Sequence, residues 1–183
     1  MRTTALVCVA LLVYPASGRT INVASQSSYK VAVQNALPGD TILIAAGSYV
    51  GMDRDGGVHP RGDGTLQKPV VVKAAVPPGR TLGGAQKDLW WDPASYTVVF
   101  NSTGEGIWHT PKHWIYEGIH FKGNGNYHLF HLKPGSKGYL TIRECHFSGC
   151  IDKGIKIDFA AYSGPTTIWP DYVLVENCTM ELG

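Results

Sequence analysis

Lys156 and Asp158 lie two residues apart in Ile155-Lys156-Ile157-Asp158-Phe159, and His131 and Lys133 repeat that spacing one segment earlier. Side chains two apart point to the same face of a β-strand. If the two strands stack in parallel, with His131 under Lys156 and Lys133 under Asp158, the four make a basic patch carrying one carboxylate. Such a patch suits charge-assisted hydrogen bonds to a carboxylate-bearing ligand such as a uronate chain. An outward Lys/Asp pair is equally what an ordinary solvated face displays. His131, Lys133, Lys156 and Asp158 are therefore the candidate substrate-binding residues, and no residue is assigned to catalysis.

The chain has 7 histidines, and His120 and His146 fall at equivalent places in the repeat described below, with His109, His113, His128 and His131 nearby. No His-x-His or His-x-x-x-His spacing with a converging carboxylate accompanies them. They are expected to decorate an outward polar face, and no metal site is assigned. Asp53-Arg54-Asp55-Gly56-Gly57 has the flavour of an oxygen-ligand loop for calcium, but it lacks the length and the terminal Glu of a dedicated site. A projecting polar loop is the expectation there. Gly-x-Ser-x-Gly is absent, so a serine-hydrolase elbow is not supported. Asp152 and Asp158 are the one close carboxylate pair near the patch, and their separation in sequence fixes no distance for glycosidase chemistry.

These side chains need elements to hold them. The 183 residues are 44% hydrophobic and 16% charged, with 22 Gly and 11 Pro spread between short β-branched and aromatic runs. That punctuation belongs to many short strands. A formal net charge of +2, without a basic cluster interleaved with aromatics, excludes nucleic acid as the expected partner. Arg2, the apolar run Ala5 to Tyr14 and the small residues Ala16-Ser17-Gly18 read as a signal peptide over 1–18. Pro15 ends the apolar run well short of the ~20 residues a membrane span needs. The mature chain, 19–183, is expected to be secreted or periplasmic, monomeric and free of the membrane. Removing Cys8 leaves Cys145, Cys150 and Cys178, an odd number, with their pairing open.

Ser27 and Ser28 can cap a short helix to about Ala36, with Tyr29, Ala32, Val33 and Ala36 on one face. It would close the first rung of a solenoid, whose interior is otherwise exposed at its end. Apolar strands at Ile42, Val70 and Val98 are spaced by 28 residues. Three later segments overlay without a gap: Trp114 to Phe121, Leu140 to Phe147 and Val173 to Met180, offset by 26 and 33 residues. Repetition on this scale marks stacked units.

In that overlay Trp114, Leu140 and Val173 point inward, as do Tyr116, Ile142 and Val175. Glu117, Arg143 and Glu176 form an outward column of alternating sign. Gly118, Glu144 and Asn177 fall at a corner where left-handed backbone is expected. Ile119, Cys145 and Cys178 return inward, with the cysteines as core filler or with Cys145 closing a loop to Cys150. His120, His146 and Thr179 then face out, and Phe121, Phe147 and Met180 face in. A third strand fits between segments at Ile107 to His109, Leu129 to Leu132 and Ile155 to Phe159. The fold class is therefore all-β, a right-handed parallel β-helix of three strands per turn with an N-terminal capping helix. A β-sandwich would instead need antiparallel hairpins.

Pro38-Gly39-Asp40-Thr41-Ile42, Ala46-Gly47-Ser48-Tyr49, Lys68 to Ala74 and Trp114 to Phe121 resemble the N-terminal rungs of pectin-lyase-like β-helix proteins, in particular polysaccharide lyase family six, the alginate lyases and chondroitinase B. The similarity runs in order and spacing from Ile21 to Gly183, through motifs that serve strand, turn and cap. It implies β-elimination on an acidic polysaccharide, with calcium as cofactor in the full-length protein. In that family the calcium carboxylates and the catalytic Lys and Arg lie on later rungs, so none is carried over. The chain is expected to be the N-terminal part of such a protein, truncated and inactive alone. The alternative is a non-catalytic extracellular module for glycan binding or adhesion.

Overall fold

The computed structural model describes residues 18–78, 93–125, 128–132, 138–150, 153–157 and 172–182. The elements follow as β1 (Thr20–Val23), α1 (Gln26–Gln34), β2 (Thr41–Ile44), β3 (Gly47–Val50), β4 (Val70–Ala74), β5 (Val98–Asn101), β6 (Ile107–His109) and β7 (Trp114–Glu117). Then come β8 (His120–Lys122), β9 (His128–Leu132), β10 (Leu140–Arg143), β11 (His146–Cys150), β12 (Lys153–Ile157), β13 (Val173–Glu176) and β14 (Thr179–Leu182). They stack into a first sheet β1-β2-β4-β7-β10-β13, a second β3-β5-β8-β11-β14 and a third β6-β9-β12. Neighbouring strands in each sheet run parallel. This is a right-handed parallel β-helix with a capping helix.

The register of the overlaid segments follows the sequence reading. Leu140 pairs with both Trp114 and Val173, and Ile142 with both Tyr116 and Val175. Gly118, Glu144 and Asn177 all have positive φ, at 70°, 56° and 52°, so the corner exists in three successive rungs. Beside it Arg143 donates to Glu117 through Nε and Nη2, at 2.9 and 2.6 Å. The 28-residue series is a coincidence of loop lengths. Ile42 pairs with Val72 in the first sheet, whereas Val98 pairs with Gly47 in the second. Gly47 to Val50 therefore starts a second sheet where the sequence reading ended a strand.

Alternation buries one side chain in two along β2, β4, β5, β7 and β10, whereas β9 is buried throughout and Val175 and Met180 of the last described rung, expected inward, are exposed. Phe100, Phe121 and Phe147 form one buried column, with adjacent ring centroids 5.7 and 5.0 Å apart. Trp114, Tyr116 and Phe130 add the largest wholly buried side chains near it. The cap packs on the first rung through Tyr29, Ala32 and Val33. Its N-cap is Ser25 rather than Ser27 or Ser28: Ser25 and Ser28 exchange bonds as a capping box. Cys145 is wholly buried and its thiol donates to the Arg143 carbonyl at 3.2 Å, and Cys178 repeats this toward Glu176 at 3.3 Å. The cysteines are core filler, and no bridge joins Cys145 to Cys150.

Residues 1–17 of the expected leader, Lys133, Asp152 and Asp158 lie outside the described residues. Among the described residues no helix is long and apolar enough to cross a membrane.

Candidate functional site

The third sheet carries two of the residues singled out for binding, His131 and Lys156. Ile107, Phe130 and Ile155 share one register position and pack inward, while Trp108, His131 and Lys156 share the next and point away from the solenoid axis. His131 therefore sits under Lys156, as the sequence register requires. Lys156 is half-buried, but His131 is only 1% exposed, so a polymer lying on this face meets Lys156 and Trp108 before it meets the imidazole.

The loop after β3 builds the rest of the site. Asp53 is wholly buried and collects the backbone N–H groups of Gly56, Thr103 and Gly104, with the Thr103 hydroxyl. Burial alone would raise its pKa, but these donors outweigh it and hold the carboxyl below its ordinary value. The loop is thus pinned to the segment between β5 and β6, and Asp53 acts as an anchor whose oxygens are already taken by donors. The expectation of a projecting polar loop is corrected at Asp53, which turns inward because buried backbone donors collect on its carboxylate.

The pinned segment presents Glu105. Its Oε2 accepts from Trp108 Nε1 at 3.0 Å and from Arg54 Nη1 at 2.8 Å, and the Arg54 guanidinium lies 4.5 Å above the Trp108 ring. Behind this lie His128 and His131, with Nε2 of the first 2.9 Å from Nδ1 of the second. The ligand atoms of Glu105, His128 and His131 all lie within 4.8 Å of one another. The sequence assigned no metal-ligating group here, because His128 and His131 show neither His-x-His nor His-x-x-x-His spacing with a converging carboxylate. No spacing signal in the chain could have joined Glu105 to the pair, since their proximity comes from stacking β9 on β6.

The expectation that the histidines decorate a solvated face is corrected. His109, His120, His128, His131 and His146 are all buried, at 1%, 5%, 4%, 1% and 0% exposure. His109 lies inside the solenoid at the edge of Trp114 and Tyr116, and burial lowers its pKa to about 3 against the opposing effect of the Pro111 carbonyl as an acceptor for its ring. His120 and His146 do point away from the axis, but Tyr96 covers them, with ring centroids at 6.0 and 5.7 Å. His120 bonds Ser148 at 2.7 Å and His146 bonds Thr179 at 2.5 Å. Alternation predicts inside or outside the solenoid; it does not foresee a loop folded over the outer face.

Fold and site together define an elongated parallel β-helix protein with a polar, partly covered third face. No protein-family profile matches the chain and no curated protein is similar to it in sequence. Solved structures are similar in fold. A mannuronic acid specific polysaccharide lyase of family 6 from human gut microbiota superposes with a TM-score of 0.53 at 14% identity, over 85% of this chain and 30% of that one. An alginate lyase from a Paenibacillus strain gives 0.49 at 17% identity, over 89% of this chain and 58% of that one. The family 6 alginate lyase AlyGC gives 0.48 at 16% identity, over 70% and 15%. The chain thus spans less than two thirds of each of these structures, and the likeness to the gut lyase, at 14% identity, shows the fold alone.

Proposed function

We propose that this chain forms the N-terminal rungs of a secreted β-helix protein that acts on an acidic, uronate-containing polysaccharide by β-elimination, with the chemistry belonging to the whole protein. The observation that carries this reading is the outward row of the third sheet, where Lys156 stands above His131 and Trp108 in register, beside Arg54 on the Trp108 ring. Cations with an aromatic surface suit a chain of sugar carboxylates. Lys133 and Asp158, which lie outside the described residues, belong to the proposed binding set by their sequence spacing alone, and His131 supports it from beneath Lys156. The superposed gut lyase, described as mannuronic acid specific, supplies the substrate class for the proposal.

Removing the proton next to a uronate carboxylate builds negative charge on that group, so catalysis requires a cation to hold it and a base to take the proton. No described residue here is assigned either role. The test incubates this chain, and a longer product of the same gene, with alginate, pectate and chondroitin, and follows absorbance of the unsaturated product. The short chain is expected to give none and the longer product a rising signal. Silence of the longer product on all three polymers would sink the lyase assignment and leave a glycan-binding module.

A further inference from the structure

We propose that Glu105, His128 and His131 form a binding site for a borderline divalent transition metal of the zinc class. The three come from adjacent parts of two successive rungs: Glu105 just before β6, and both histidines on β9. Gly106 N–H donates to the His128 carbonyl at 2.8 Å, which fastens the carboxylate's own segment to the histidine strand. A side chain at Gly106 would meet the Leu129 backbone at 2.0 Å, so the two strands are as close here as the backbone allows.

The donor set fits such an ion in type, and its spacing comes close. Zinc binds imidazole nitrogen at about 2.0–2.1 Å, which places two nitrogens of one coordination sphere roughly 3.0–3.4 Å apart. The His128 Nε2 to His131 Nδ1 separation is 2.9 Å, a hydrogen bond in this structure, so the two rings must part by a few tenths of an ångström to take the ion between them. Both rings are buried, at 4% and 1% exposure, so the cost of removing them from water is met in the fold and not at binding. Glu105 is oriented through Oε2 by Trp108 and Arg54, outer contacts of the kind that steer a ligating carboxylate. Glu105 is the one flexible ligand and closes the remaining gap by rotating its carboxylate.

Two imidazoles and one carboxylate suit zinc, cobalt or nickel and are wrong for calcium, which takes six to eight oxygens. Three protein ligands leave a coordination position for water or for an oxygen of a bound molecule. This site is independent of the polysaccharide reading and stands or falls without it.

The experiment uses tag-free, metal-stripped protein titrated with Co²⁺, whose visible absorption reports a low-coordinate nitrogen and oxygen site, with the bound ion counted by equilibrium dialysis. One ion per chain is expected, displaced by Zn²⁺ and unaffected by excess Ca²⁺. His128→Gln and His131→Gln should abolish the absorption while far-ultraviolet circular dichroism stays native. Glu105→Gln, at a half-exposed position that tolerates the change, should weaken binding by about 100-fold, and His113→Gln, remote from the site, should leave it unchanged. Absence of stoichiometric binding by the folded wild-type chain overturns the proposal in favour of a plain His–His hydrogen bond, as does equal binding by Glu105→Gln.

Discussion

At the scale of single residues, Asp53 matters most to the site although it touches no candidate ligand. Its buried carboxylate accepts from the backbone N–H groups of Gly56, Thr103 and Gly104. Asp53→Ala strands those donors, and each buried unsatisfied group costs about 1–3 kcal/mol. The variant should lose about 3 kcal/mol or more in urea unfolding and lower the midpoint by several degrees. An unchanged midpoint would mean that the loop after β3 is held by other contacts. The corner residues show how much of the fold the sequence discloses: Gly118, Glu144 and Asn177 could be placed from their column alone, because a break in alternation has a backbone meaning. Asp53 could not, since an Asp in an Asp-Arg-Asp-Gly-Gly run looks the same whether it faces water or three amides.

At the scale of elements, strand columns were legible because parallel stacking repeats each choice at the next rung. What covers the columns was not. The outward row His120-His146-Thr179 is sealed by Tyr96, just after the 3₁₀ turn Pro93–Ser95, and nothing periodic announces that turn. The sealing has a consequence for pH. Burial, then the neighbouring His146 at 4.4 Å between ring centroids and the charge of Lys122, lower the His120 pKa from 6.5 to about 4; burial lowers that of His146 as well, against the opposing charge of Glu181.

A histidine with a depressed folded pKa binds fewer protons in the native state than in the unfolded one. The fold is then unaffected above about pH 6.5 and weakens as pH falls from there toward 4, where the native ring finally protonates. For His120 the difference corresponds to a loss on the order of 3 kcal/mol across that window. Thermal midpoints measured from pH 7.5 to 4 should fall steeply below 6.5, and His120→Asn should flatten part of the slope. A flat wild-type profile over that range would show that this row is open to water.

At the scale of the whole molecule, the solenoid sets which charges can act together. Net charge is only +2, so no long-range field gathers an anionic polymer, and attraction must come from a local row on one of three faces. Arg54 is offset by Asp55 and Glu105 at 2.7 and 2.8 Å, and on the first sheet Lys73 stands in register beside Glu117. The third sheet stacks Lys156 over Trp108 and His131 in register. If this face is where a uronate chain lies, Lys156→Ala should weaken alginate retardation in affinity electrophoresis about tenfold, the worth of one charge-assisted hydrogen bond. Lys73→Ala, with the same charge removed from another face, should change nothing. Raising the salt should erase the difference between wild type and Lys156→Ala, because a half-exposed ammonium is screened by added ions. Equal losses for the two variants would instead mean that the polymer reads the sum of surface charge, and that the third face has no special claim to it.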